Sequence, residues 1–125
     1  MTVLIDSWAW IEYFQGSEVG KKARDLIENN HELIVSSINI SEVYRWVLRF
    51  YDESMAEEKR ETIRERCFIV DVDERIAVEA AKIKHQFGWG LGDSIVYATA
   101  RQVGAEVLTG DSDFRGSDGV IFLDS

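Results

Sequence analysis

The sequence contains no proline, one cysteine and two histidines, and its 14 lysines and arginines face 23 aspartates and glutamates in 125 residues. A single cysteine, Cys67, excludes an internal disulfide framework and any zinc site built on paired cysteines. The shortage of basic residues gives a formal net charge of −9. It disfavours non-specific attraction to nucleic acid or to an anionic membrane, because that attraction depends on basic side chains displacing counterions. No stretch approaches the roughly 18 uncharged apolar residues of a membrane span. The opening MTVLIDSWAW lacks the basic start of a signal peptide and carries Asp6 inside its apolar run. The expectation is a soluble protein of the reducing cytoplasm with no membrane partner.

What is present is an ordinary core. With 46% hydrophobic and 11% aromatic residues, a chain of this length is expected to form one domain over residues 1–125 without metal or disulfide staples. TVLID at 2–6 reads as a first strand that runs directly into the helical pattern SWAWIEYFQG. Ser17 then caps a second helix with Val19, Ala23, Leu26 and Ile27 at helical spacing. LIVSS at 33–37 reads as the second strand, and INISEVYRWVLRFY as a third helix with Ile40, Val43, Val47 and Phe50 on one face. Ser54 with Glu57 forms a capping-box pattern opening a charged fourth helix. FIVDVD at 68–73 is a third strand, and Asp73 caps a fifth helix bearing Ile76, Ala80, Ile83 and Phe87. GWGLG at 88–92 reads as a loop before an apolar helix from Asp93 to Gly104, and strands follow at 105–110 and 119–125. Strands alternating with helices predict right-handed crossovers and an α/β/α sandwich, Rossmann-like, around a mostly parallel sheet.

In such a sheet the site lies outside the carboxyl ends of the strands. Asp6 ends the first strand, Glu42 lies early in the helix after the second, Asp93 opens the helix after GWGLG, and Asp111 and Asp113 follow the fourth strand. Each acid has a plain reading: Asp93 and Glu42 as helix caps or dipole partners, Asp111 as a turn residue. Asp6 resists it, because a carboxylate closing a buried strand must be paired, solvated or bound to a cation. Gathered acids repel one another unless a cation offsets them, and an oxygen-only set suits Mg²⁺ or Mn²⁺ rather than zinc. His31 and His85 stand outside this set and read as surface residues, and Cys67 as a small buried group. The charged run of the fourth helix reads as a solvated face. Arg45, Arg49 and Arg115 are candidate contacts for a nucleic-acid backbone. Fourteen aromatic residues are more than a small core hides, so part of them is expected to face a partner.

The ordered blocks LIDSWAWIEYF, VSSINISEVYRWVLR, LGDSIVYATAR and VLTGDSDF resemble the PIN domains, and within them the VapC-type toxins of toxin–antitoxin pairs. The resemblance spans essentially the whole chain. It implies an Mg²⁺- or Mn²⁺-dependent endoribonuclease acting on an RNA substrate, a homodimer, and inhibition by a cognate antitoxin protein whose tail enters the acidic groove. On that resemblance Asp6, Glu42, Asp93 and Asp111 are the catalytic and metal-holding residues, with Asp113 as an alternative or additional acid. Ser7 and Thr109 would add hydroxyls to the same shell. Trp8 stands where the family more often has a small residue. Trp10, Phe14 and Trp46 are expected to wall the antitoxin groove. Two other α/β classes place acids at strand ends. A haloacid-dehalogenase-type phosphatase requires an Asp where this chain has Trp8, and a receiver domain requires a late lysine, whereas no lysine follows Lys84. A non-catalytic module on the same fold is the remaining alternative.

Overall fold

The computed structural model describes residues 1–30 and 32–124; His31 and Ser125, and the expectations attached to them, lie outside the described residues. The chain alternates β1 (Val3–Ile5), α1 (Ser7–Gln15), α2 (Glu18–Asn29), β2 (Leu33–Ser36), α3 (Ser37–Phe50), α4 (Glu53–Arg66), β3 (Phe68–Val70), α5 (Glu74–Phe87), α6 (Leu91–Val103), β4 (Glu106–Thr109) and β5 (Val120–Phe122). The five strands form one sheet in the order β3-β2-β1-β4-β5, every pairing parallel. This is the expected α/β/α arrangement.

The period of two in the strands builds both faces. Val3, Ile5, Val35 and Leu108 point into one core with α1, α2, α3 and α4, while Leu4, Ile34 and Val107 point into the other with α5 and α6. Burial on both sides is why the strands read as continuous apolar runs rather than alternating ones. Helices α1 and α2 approach so closely that a Cβ on Gly20 would strike the backbone of Glu12. Among the described residues no helix is long and apolar enough to cross a membrane.

Four local expectations are corrected. Helix α4 is capped by Asp52, whose Oδ1 accepts from the Met55 amide at 2.8 Å. Ser54 and Glu57 therefore sit inside the helix, because the carboxylate two residues earlier already satisfies the third helical amide. Helix α6 starts inside the glycine-rich stretch, with Gly90 in extended conformation as its cap and Asp93 as its third residue. Strand β3 stops at Val70 because Asp73 claims the Ile76 amide at 2.9 Å and turns the chain into α5. Phe50 and Phe87, placed by periodicity on buried faces, are last residues of their helices and are 56% and 48% exposed.

The order of strands fixes where a site can form. Connections run from β1 outward through β2 to β3, then return across the sheet to β4 and β5, so the chain reverses direction between β1 and β4. A crevice opens outside the carboxyl ends of those two strands. Asp6 follows β1 directly, and Gly110 and Asp111 follow β4.

Candidate active site

Asp6 takes the N-cap position of α1, yet its side chain makes no cap hydrogen bond. It is instead turned into the crevice and is 4% exposed. Its Oδ2 accepts from the Thr109 hydroxyl at 2.8 Å and its Oδ1 from Asn39 Nδ2 at 3.3 Å. The same Asn39 nitrogen donates to Ser7 Oγ at 2.8 Å, and Ser7 Oγ donates onward to Glu42 Oε1 at 2.7 Å. Glu42, on the exposed side of α3, is thereby tied to Asp6 through two polar side chains. The capping interpretation fails for Glu42, because Ser36 holds the cap position of α3.

Asn39 was not legible as a functional residue. It is fully buried, and its Oδ1 accepts from the Ser36 amide at 3.0 Å in a capping box that opens α3. Both of its amide hydrogens then point at site oxygens. A sequence signal exists: Asn39, Val43 and Val47 share one helical stripe, and an amide on that apolar stripe needs buried partners.

The other half of the site comes from α6 and the segment after β4. Asp93, Asp111 and Asp113 each offer a carboxylate oxygen, and the three oxygens lie within 4.8 Å of one another. Asp111 does act as a turn residue, since its Oδ1 accepts from the Asp113 amide at 3.0 Å in the 3-10 turn Ser112–Phe114. Its own amide donates to Thr109 Oγ1 at 3.0 Å, so Thr109 links Asp111 to Asp6. Asp6 and Glu42 lie outside the tight group of three, but α6 brings Glu42 close: a Cβ on Gly92 would stand 3.0 Å from Glu42 Oε2. Gly110 is required for a related reason, because a Cβ there would enter the Trp8 ring.

The electrostatics record the crowding. Burial pushes the Asp6 carboxyl up to about 6, against the Thr109 hydroxyl that favours its ionised form, and the charges of Glu42 and Asp111 raise it further. Asp93 is pushed up to about 8 by burial, by a hydrogen bond with Asp113 and by the charges of Asp111, Asp6 and Asp113. Five acids from four segments thus act on one another. Among the described residues none of them is in an ion pair with a lysine or arginine. An oxygen-only donor set with excess negative charge and no internal cation fits a hard divalent ion such as Mg²⁺ or Mn²⁺. Among the described residues no histidine belongs to the group, and Cys67, its thiol pushed up to about 12 by burial, is not a ligand. Of the three candidate arginines, Arg115 is engaged elsewhere: its Nη1 lies 3.1 Å from Asp124 Oδ1 and its guanidinium covers the Phe122 ring.

Trp10 is also corrected. It is fully buried, stacked on Phe14 at 5.4 Å and edge-on to Tyr13 at 5.8 Å, so it is core and not a groove wall. Its indole nitrogen is buried with no hydrogen-bond partner among the described residues. The groove between α1 and α3, of about 630 Å³, is walled instead by Trp8, Ile11, Gln15, Trp46 and Phe50.

An acid cluster at the switch point of a five-stranded parallel sheet defines a narrow class of α/β domain. The chain belongs to the PIN domain family, whose model matches residues 3–119. Among solved structures it is similar to a toxin–antitoxin complex from Klebsiella pneumoniae, at 23% identity, 99% coverage of both chains and a TM-score of 0.83. It is also similar to VapC20 of Mycobacterium tuberculosis, described as a Sarcin-Ricin loop cleaving toxin, at 16% identity, covering 95% of this chain and 97% of that one, with a TM-score of 0.80. A third similar structure is the DNA-bound VapBC of Salmonella typhimurium, at 17% identity, 98% and 96% coverage and a TM-score of 0.76. No curated protein matches the chain by sequence.

Proposed function

We propose that residues 1–125 form a single nuclease domain, a divalent-metal-dependent endoribonuclease that serves as the toxin of a toxin–antitoxin pair in the cytoplasm. The observation that carries this reading is the set of unpaired carboxylates of Asp6, Glu42, Asp93, Asp111 and Asp113 around the crevice between β1 and β4. When bound, a divalent cation supplies Lewis acidity and charge neutralisation toward the phosphodiester. Asp6, Glu42 and Asp93 would hold a bound ion, Asp6 and Glu42 directly or through water because they lie outside the tight group, and Asp111 with Asp113, which share that group with Asp93, would add ligands or orient a water. Thr109 and Asn39 fix the Asp6 carboxylate, and Ser7 fixes Glu42, so the acids are aimed before substrate arrives. In the cation-free protein burial raises the Asp93 carboxyl to about 8, and the hydrogen bond with Asp113 further favours its protonated form.

Membership in the PIN family and the description of the Mycobacterium tuberculosis neighbour support RNA as the substrate. The Klebsiella pneumoniae and Salmonella typhimurium complexes support an antitoxin partner. The apolar groove between α1 and α3, beside the acids, suits an amphipathic segment carrying a basic side chain. Phe68 and Leu91, 74% and 57% exposed, are apolar side chains available to a homodimer contact.

The test is incubation of the purified chain with single-stranded RNA in Mg²⁺, in Mn²⁺ and in chelator. Internal cleavage in either metal and none in chelator is expected. Cleavage that persists in chelator would contradict the metal role, and no cleavage in any condition would favour the non-catalytic module.

A further inference from the structure

We propose that RNA runs through this protein as a single strand along α3, its backbone phosphates on Arg45 and Arg49 and one base against Trp46. The inference rests on the nuclease reading above and adds the path that the substrate takes away from the acids.

Glu42, Arg45, Trp46 and Arg49 recur at intervals of three and four, so they share one side of α3. Glu42 belongs to the acid site, and the Ser7 hydroxyl holds it there at 2.7 Å. It is not paired with Arg45. Among the described residues neither Arg45 nor Arg49 is in an ion pair with any carboxylate. Both are exposed. A groove of about 350 Å³ joins these groups, walled by Ile11, Ser41, Glu42, Arg45, Trp46 and Arg49. It therefore begins at a site acid and continues over two free cations and an indole.

That sequence of surfaces matches one ligand chemistry. A chain of net charge −9 repels a polyanion on average, so approach depends on local cations placed next to the acids. Arg45 and Arg49 are one helical turn apart, about 6 Å along the axis, and can each take a phosphate with a planar fork of donors. Trp46 is half-buried and braced against Phe50 at 4.9 Å, with Arg49 over the Phe50 ring at 5.3 Å. A braced ring presents a flat face at little entropic cost, and stacking on it requires a base freed from its neighbours. Duplex RNA keeps its bases stacked and paired, so the groove selects single strands or loops. The adjoining α1–α3 groove shares Ile11 and Trp46, so RNA and an antitoxin segment seated there exclude each other.

The experiment uses the full chain, Mg²⁺ and a fluorescein-labelled twelve-nucleotide oligouridylate, with binding read by stopped flow before cleavage accumulates. Arg45→Ala/Arg49→Ala is expected to weaken binding about tenfold or more. It should also make the slope of log K against log salt shallower by about 1.4, the value for two phosphates on a single strand. Trp46→Ala should remove most of the quenching of intrinsic fluorescence. Arg75→Ala/Arg101→Ala, on a separate depression between α5 and α6, carries the same charge change and should leave affinity within twofold. Equal weakening by both double variants, unaltered binding by the first, or equally tight binding of blunt duplex RNA would overturn the path. If the wild type cleaves RNA while Arg45→Ala/Arg49→Ala binds it normally, the nuclease reading survives and the path does not. If the wild type neither binds nor cleaves, both fall. Loss of a protein partner from that variant with RNA binding intact would reassign the surface to protein contact.

Discussion

Asp6→Asn is expected to reduce metal-dependent RNA cleavage by about two orders of magnitude or more while making the cation-free protein more stable at pH 8. The first effect follows from removing the charge of the acid at the centre of the polar network, with little change in shape. Thr109 can rotate its hydroxyl to accept from the new amide, so the network closes again around asparagine. The second effect follows from linkage. The Asp6 carboxyl is raised from 3.8 to about 6 in the folded chain. A raised acid favours the fold fully below its unfolded value, and that contribution is lost as pH climbs through about 6. For Asp93, raised to about 8, the loss extends to higher pH. At pH 8 the ionised, buried Asp6 therefore weighs against the fold by about 3 kcal/mol when no cation is present. Thermal unfolding in chelator should show Asp6→Asn melting several degrees above wild type at pH 8, with the difference vanishing near pH 4. Saturating Mg²⁺ at pH 8 should narrow or reverse the gap. A variant that is inactive because it is unfolded would melt lower at every pH, and that result would refute this account of the residue.

The largest loss of stability is expected from Trp10→Ala. The indole is the bulkiest fully enclosed side chain and packs between α1 and the core formed by α2, α3 and α4. Deleting such a ring typically costs about 3–5 kcal/mol, set against a total of about 5–15 kcal/mol for a domain. Urea denaturation should place the variant close to unfolded at 37 °C. Trp46→Ala, which truncates a partly exposed ring, should move the midpoint far less. Comparable midpoints for the two variants would mean that Trp10 is not the core residue described above.

These two residues mark what the sequence made legible and what it did not. TVLID announced both a buried strand and an acid that could not be an ordinary cap, because the residue type and its position conflict without a partner. The block carrying Asp111 was legible because strand ends in a parallel sheet have only one side at which a site can form, and Asp93 because an acid stands in the first turn of the helix that begins in the glycine-rich GWGLG stretch. Trp10 and Trp8, by contrast, lie two positions apart on one helix, and composition cannot say which faces inward. Packing decided it: Gly110 and Gly20 leave room for Trp8 and for the α1–α2 contact, and neither approach is local in sequence. Asn39 was hidden because its role depends on Asp6 and Ser7 at the end of β1, far away along the chain. The cap of α4 moved by two residues because two neighbouring side chains could each serve, and Asp52 reaches the Met55 amide. Periodicity placed Phe50 and Phe87 inside, yet both are the last residues of their helices and are exposed.

Titration calorimetry of Mn²⁺ into the chelator-treated chain at pH 7, repeated with Asp93→Asn and in two buffers of different protonation enthalpy, reads the acid cluster directly. Because burial, a hydrogen bond with Asp113 and the charges of the acids around it raise Asp93 to about 8, its protonated form is favoured at pH 7 in the cation-free protein. The account predicts saturable binding by the wild type, with close to one proton released per ion, and binding by Asp93→Asn that is at least about tenfold weaker and releases fewer protons. Absence of saturable binding at millimolar Mn²⁺, or binding by Asp93→Asn equal to wild type in affinity and proton release, would contradict the claim that these carboxylates form a cation site.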